Sequence, residues 1–216
     1  MKHYVKEDID QYKIIAIVRG IDNQYILDTA RALYEGGIRL LEITFNQKSP
    51  SCIEDTKIAI EMVKREFGDK MRVGAGTVLT REQVDAAYKA GAEFILSAVM
   101  NKEIIQYGNE LGLVTIPGAL TPTEIEAAYT YGADYIKVFP AGDLGISYLK
   151  SIKAPLSHIP MTAVGGVGIN NMKDFLAIGI QAVGLGSNLV NPKLIREGKF
   201  NEIRDLARQY TQLVSE

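Results

Sequence analysis

Two side chains in this sequence are in the wrong company for their charge. Lys137 stands within Tyr135-Ile136-Lys137-Val138-Phe139-Pro140, and Glu42 follows Leu40-Leu41 and precedes Ile43. Both runs are rich in β-branched, aromatic and aliphatic residues and read as short buried strands, the first bracketed by Gly132 and Gly142. Other lysines, such as Lys64, Lys89 and Lys153, fall in polar helical stretches where an ammonium can stay in water. An isolated ammonium taken out of water is costly, so the usual outcomes are a partner charge or a depressed pKa. A neutral lysine is a nucleophile that can form a Schiff base with a carbonyl substrate. Such chemistry needs an acid/base group within hydrogen-bond reach, to make and dehydrate the carbinolamine and to move a proton at the neighbouring carbon, and Glu42 can serve. The plainer readings are a lysine that snorkels to solvent from a strand end, or a salt bridge that neutralises two buried charges. The catalytic reading and the salt bridge both place the two residues close together.

A second kind of signal lies in Ala163-Val164-Gly165-Gly166-Val167-Gly168 and Gly184-Leu185-Gly186-Ser187-Asn188. These are turns without side-chain obstruction, each leading into a helical segment, so backbone N–H groups can converge there on an anion. Glycines that merely permit a tight turn are the plainer alternative.

The elements that must carry these groups alternate regularly. Strands are expected over Ile14 to Arg19, Leu40 to Phe45, Arg72 to Thr77, Phe94 to Val99, Val114 to Ala119, Tyr135 to Pro140, Met161 to Gly166 and Ala182 to Ser187. Between them lie stretches with helical spacing, for instance Ile26, Ala30, Leu33 and Tyr34. Helix starts are signalled by Asp22, by Thr80, by Thr121-Pro122-Thr123-Glu124 and by Asn170. Gly36-Gly37, Gly91, Gly112, Gly132 and Gly179 each follow a helical run. Eight strand–helix units imply a parallel sheet closed into a (β/α)8 barrel of the triosephosphate isomerase type, an α/β fold. A doubly wound open sheet is the alternative; it fits less well, because Arg19-Gly20-Ile21-Asp22 after the first strand is not a dinucleotide fingerprint. The residues before Ile14 and those from Ile195 to Leu213 are expected to form helices that cover the barrel ends. In such a barrel reactive groups sit at the C-terminal strand ends, here Arg19, Glu42 with Thr44, Thr77, Ser97, Pro117, Lys137, Gly165-Gly166 and Gly186-Ser187. Loops after the last two strands are where this fold commonly holds a phosphate.

Composition bounds the rest. The 216 residues, 47% hydrophobic and 23% charged, suit one large core, and the expected organisation is one domain over residues 1–216. A formal net charge of -2 without a basic block gives no reason to expect nucleic acid or an anionic membrane as partner. No run approaches a membrane span and the charged first residues do not read as a signal peptide, so a cytoplasmic protein is expected. One cysteine, Cys52, rules out an internal disulfide framework. The only histidines, His3 and His158, lie away from the strand ends, so neither a metal nor another cofactor is expected. The competing readings are a metal-dependent aldolase, a phosphosugar isomerase and a non-catalytic phosphate-binding barrel; the last would have no use for the Lys137–Glu42 pair.

Ile17-Val18-Arg19, Leu41-Glu42-Ile43-Thr44-Phe45, Gly74-Ala75-Gly76-Thr77-Val78, Ile116-Pro117-Gly118, Ile136-Lys137-Val138-Phe139-Pro140, Ala163-Val164-Gly165-Gly166-Val167 and Gly184-Leu185-Gly186-Ser187 occur in that order. Together, from Ile14 to Val190, they resemble the KDPG/KHG aldolases, which act on 2-keto-3-deoxy-6-phosphogluconate and 4-hydroxy-2-oxoglutarate. The resemblance implies a metal-independent class I aldolase, usually a homotrimer, with Lys137 as Schiff-base lysine and Glu42 as general acid/base. It also implies that Thr77 helps bind the pyruvate carboxylate, that Pro117 belongs to the substrate-binding set, and that Gly165, Gly166, Gly186 and Ser187 lie near the phosphate. Two positions depart from the pattern. Asn46 stands where many phosphogluconate-type members carry arginine, which gives the carboxylate to Arg19, whose stretch Val18-Arg19-Gly20-Ile21 resembles relatives acting on the galactonate epimer. Ala98 replaces the proline expected after Ser97 and alters the pocket wall.

Overall fold

The computed structural model describes residues 2–215. Its strands are β1 (Ile14–Val18), β2 (Leu40–Thr44), β3 (Arg72–Gly76), β4 (Phe94–Leu96), β5 (Val114–Ile116), β6 (Gly118–Ala119), β7 (Ile136–Val138), β8 (Met161–Val164) and β9 (Ala182–Leu185), paired in parallel in the order β5-β4-β3-β2-β1-β9-β8-β7-β6. The two edges of this sheet, β5 and β6, are halves of one strand interrupted at Pro117, which has no N–H to give a ladder. The first half pairs with β4 and the second with β7, and Lys137 N donates to Pro117 O at 2.8 Å. The sheet therefore closes through the chain itself, and the eight expected strands make the expected (β/α)8 barrel.

Inside and outside alternate along every strand. Ile14, Ala16 and Val18 of β1, Leu41 and Ile43 of β2, Val73 and Ala75 of β3, and Ile136 and Val138 of β7 join the shell between sheet and helices. Ile15, Leu40, Phe94, Leu96, Val114, Ile116, Tyr135 and Ala182 form a separate apolar plug within the barrel. Beneath it lies α1 (Lys2–Tyr12), whose Val5 and Ile9 are completely buried against the plug. The helix is tied on by polar contacts as well: Tyr135 Oη donates to Asp10 Oδ1 at 2.9 Å, and Arg72 Nε to Asp8 Oδ2 at 2.6 Å. The N-terminal residues thus cover one barrel end, as expected.

The outer layer comprises α2 (Ile26–Glu35), α3 (Cys52–Phe67), α4 (Arg81–Lys89), α5 (Lys102–Glu110), α6 (Pro122–Thr130), α7 (Ala141–Lys153), α8 (Met172–Ala177), α9 (Pro192–Arg196) and α10 (Phe200–Ser215). The caps follow the sequence: Thr80 accepts from Gln83 N, and Thr121 with Glu124 forms a complete capping box before Pro122. Two expectations are corrected. Asn171, not Asn170, flanks α8, and its side chain serves the preceding loop, accepting from Gly168 N at 2.8 Å. The last helix, α10, does not cover a barrel end but lies along α2, so close at Ala207 that Gly36 has no room for a Cβ. No helix among the described residues is long and apolar enough to cross a membrane.

Candidate active site

Lys137 and Glu42 lie on opposite parts of the barrel wall, both pointing inward above the apolar plug. Glu42 is wholly buried and Lys137 is 3% exposed. Neither oxygen of the Glu42 carboxyl has a hydrogen-bond partner among the described residues. The pair is therefore not the closed salt bridge that would neutralise two buried charges, and both groups remain available to a third. Burial pulls the Lys137 amine below the usual lysine pKa; the Glu42 charge opposes this and the Arg19 charge adds to it. Burial pushes Glu42 above the usual carboxylate range, against the pull of Lys137 and Arg19. Both shifts favour neutral forms, an unprotonated amine and a protonated acid. Lys153, grouped above with solvent-facing lysines, is also lowered by burial, but its Nζ is spent on Ile159 O at 2.9 Å.

Glycines on the flanking strands let the wall pack closely here. Glu42 pairs in register with Gly74, and Thr44 with Gly76. A Cβ at Gly76 would overlap Glu42 Oε1, and one at Gly74 would overlap the Phe94 ring. Gly118, beside Lys137 in the ladder, has the Ala98 backbone where its Cβ would go, so the loop after β4 closes over the rim there.

A cavity of about 330 Å³ opens at Lys137, while Glu42 lies buried and outside its lining. Lys137, Arg19, Gly165, Gly166, Gly186 and Ser187, all named from the sequence, line it. Thr77 is not in its lining but is joined to it through Arg19, whose Nη2 donates to Thr77 Oγ1 at 3.2 Å. Pro117 is not brought to this cavity; it lies in a small apolar space with Ile95 and Ile105, and reaches the site only through its carbonyl bond to Lys137 N. Asn46 lies beyond β2, in a separate space of about 270 Å³ with Asp22 and Cys52. Sequence reasoning missed Phe139, whose ring centroid is 5.0 Å from Lys137 Nζ, and Ile17, Val164 and Asn188 of the wall. Inward alternation from Ile15 and Thr162 would have found Ile17 and Val164.

At the other side of the mouth the glycine turns are tightly organised. Gly165 and Gly166 take φ values of 85° and 69°, in the left-handed region. Their carbonyls are committed inside the protein, Gly165 O to Gly142 N at 2.7 Å and Gly166 O to Asn171 Nδ2 at 3.0 Å. Gly186 O likewise accepts from Leu189 N and Val190 N, and a Cβ at Gly186 would meet only open space. Among the described residues no group of three or more His, Cys, Asp or Glu is gathered as a metal would need.

The dependence of Glu42 on Gly76 can be measured. Gly76→Ala should destabilise by about 1–3 kcal/mol through overpacking, and in a Glu42→Ala background the cost should fall by more than about 0.5 kcal/mol, beyond ordinary additivity. Strictly additive denaturation midpoints would mean that the carboxyl does not occupy that space.

Comparison with known proteins gives the same reading of the whole chain. The family model described as KDPG and KHG aldolase matches residues 5–206. A probable 2-dehydro-3-deoxy-6-phosphogalactonate aldolase of Rhizobium meliloti (strain 1021) is 38% identical over 180 residues, 83% of this chain and 82% of the relative. A 2-dehydro-3-deoxy-phosphogluconate aldolase of Haemophilus influenzae is 31% identical over 210 residues, 96% of this chain and 95% of that one. The solved KDPG aldolase of Legionella pneumophila, with pyruvate captured at low pH as a covalent carbinolamine, superposes with a TM-score of 0.84 at 28% identity, over 94% of this chain and 96% of the other. With the motif order, the barrel and the matched length in agreement, this chain belongs to the KDPG and KHG aldolase family.

Proposed function

We propose that this protein is a class I aldolase that cleaves a 2-keto-3-deoxy-6-phospho sugar acid to pyruvate and glyceraldehyde 3-phosphate, residues 1–216 acting as one domain. The observation that carries the reading is the buried, mutually unbonded pair of Lys137 and Glu42, of which Lys137 opens onto a cavity. The neutral Lys137 amine attacks the C2 carbonyl, giving a carbinolamine. Glu42 supplies the proton with which the carbinolamine hydroxyl leaves as water. With the iminium as electron sink, the resulting Glu42 carboxylate takes the proton of the C4 hydroxyl, the C3–C4 bond breaks, and its electron pair moves into the iminium to form an enamine. The aldehyde departs, the enamine is protonated at C3, and water releases pyruvate from the lysine.

In this reading Arg19 and Thr77 hold the pyruvate-forming carboxylate. A guanidinium can grip it in a bidentate pair, and Asn46 brings no second cation from β2. Pro117 acts through the backbone that fixes Lys137. The phosphate is taken by backbone N–H groups at Gly165, Gly166, Gly186 and Ser187; the carbonyls of the three glycines are engaged elsewhere. The galactonate-type relative at 38% identity and the stretch Val18-Arg19-Gly20-Ile21 favour the galactonate epimer over the gluconate one. Cleavage of 4-hydroxy-2-oxoglutarate to pyruvate and glyoxylate is a secondary activity. The protein works in the cytoplasm as a homotrimer; exposed Val99, Leu120 and Phe139 at the loops after β4, β6 and β7 are apolar surface that a partner copy could cover. Light scattering should return three times the chain mass, and a monomer would reject the trimer.

Incubation with pyruvate and borohydride should modify Lys137. Glu42→Gln should lower turnover by about 10²- to 10⁴-fold, as loss of a general acid/base does. The same change removes the charge that holds the Lys137 pKa up, so the acid limb of the trapping rate should move to lower pH. An unmodified Lys137 peptide in an active, metal-sensitive preparation would refute the class I assignment. An acid limb that moves to higher pH would refute the pairing.

Kinetics on both epimers of the 2-keto-3-deoxy acid, with and without terminal phosphate, test the other end. Phosphate binding is remote from the reacting bond, so its removal should lower kcat as well as raise KM. Equal efficiency on both forms would reject the phosphate site and leave the hydroxy-oxoglutarate activity as the main one.

A further inference from the structure

Thr77 is a β-branched residue with φ 57°, a backbone state that such side chains rarely adopt and that costs about 1–3 kcal/mol. Strain of this kind persists where the surroundings over-determine it, and here the surroundings are a chain of amides. Leu79 N donates to Gln83 Oε1 at 2.7 Å, Gln83 Nε2 donates to Gln47 Oε1 at 2.9 Å, and Gln47 Nε2 donates to Thr77 O at 2.8 Å. A backbone donor stands at one end and a backbone acceptor at the other, so the orientation of both side-chain amides is fixed by chemistry. The chain closes a ring around residues 77–79, while Val78 N is anchored separately on Leu96 O at 3.0 Å.

The two glutamines are differently placed. Gln83 is 3% exposed, in the first turn of α4, where Thr80 caps its N–H. A buried primary amide of this kind is costly unless bonded, and both of its polar atoms are used here. Gln47 is exposed and lies just past β2, the strand that carries Glu42. Phe45 N also reaches across, to Gly76 O at 2.9 Å. Two successive carbonyls of the β3 rim, those of Gly76 and Thr77, are thus held from the β2 rim, and with them held Thr77 Oγ1 meets Arg19.

We propose that Gln47 and Gln83 are positioning residues that clamp Thr77 in its left-handed conformation, so that its hydroxyl and Arg19 form one preset receptor for the substrate carboxylate. The inference rests on the carboxylate role assigned to Thr77 and Arg19 above. Neither glutamine touches the reacting atoms, so their contribution falls on binding of the keto acid and not on proton transfer.

Gln47→Leu cuts the clamp at an exposed position. Gln83→Glu keeps an oxygen for Leu79 N–H but, ionised, cannot donate to Gln47; the Gln47 amide must turn over and present its oxygen to Thr77 O. Pyruvate trapping with borohydride, run in mildly alkaline buffer over a range of pyruvate concentrations, reads the effect. Each variant should need about 3- to 10-fold more pyruvate for half-maximal trapping, the size of one lost hydrogen bond, with the maximal trapping rate close to the parent's; the thermal midpoint should stay near the parent's in Gln47→Leu, whereas the buried charge of Gln83→Glu lowers it. The double variant should be no worse than Gln47→Leu alone, because both changes break one chain. Unchanged half-saturation in the variants of a protein that traps would overturn the clamp and leave the aldolase reading intact. A lowered thermal midpoint without a shift in half-saturation would overturn it too. A parent protein that fails to trap pyruvate would remove the aldolase reading and the clamp with it.

Discussion

Everything near the mouth of this barrel is arranged around the cost of burying an amine and a carboxyl that do not bond to each other. Had Lys137 and Glu42 closed on one another, attraction at short range would have offset much of the desolvation, and neither would have been free for a substrate. Kept apart, they share the penalty by drifting toward neutral forms. That state can persist only in a rigid, water-poor setting. The apolar plug supplies the floor, with Leu40, Phe94, Ile116 and Tyr135 filling the barrel beneath the pair. Helix α1 seals the plug from below, so the penalty is not relieved by water entering from that end.

Side-chain volume is distributed accordingly. Where Glu42 projects, the neighbouring strand carries Gly74 and Gly76, and where Lys137 projects, its neighbour carries Gly118. Of these only Gly76 clears the charged side chain itself; the space beside Gly74 is filled by the Phe94 ring and that beside Gly118 by the Ala98 backbone. On β8 and β9 the glycines do something different. There Gly165, Gly166 and Gly186 bare the backbone toward the cavity, so one half of the mouth presents side-chain charge and the other presents peptide. A substrate with a keto acid at one end and a phosphate at the other matches that division, because the keto group needs an ionisable nucleophile whereas the phosphate can be met by peptide N–H groups alone.

Much of this was legible in the sequence, for a physical reason. A parallel barrel buries both faces of its strands, so apolar runs with one ionisable residue mark inward reactive positions, and Lys137 and Glu42 stood out before any coordinates. Strand count, the caps at Thr80 and Thr121 and the glycine stops followed from local rules that tertiary context did not override. The misreadings arose where the local signal is silent about what an element packs against. The amphipathic pattern of α10 says that it buries a face; only the close approach at Gly36 shows that the face meets α2 rather than a barrel end. Nor does a strand-end position show that Pro117, whose missing N–H interrupts the ladder, is where one strand changes partners.

The amide chain through Gln83, Gln47 and Thr77 marks the limit of such reading. Glutamine carries no charge and is ordinary at a helix start or in a loop, so neither residue violates a local expectation. Their significance appears only when an exposed loop amide is seen meeting a buried one from a different strand–helix unit, and when Thr77 is found in a conformation that its own side chain disfavours. Charged residues announce themselves by desolvation cost, which sequence context reveals. Positioning residues act through geometry instead, and strain at the group they position is then the signal by which they are found.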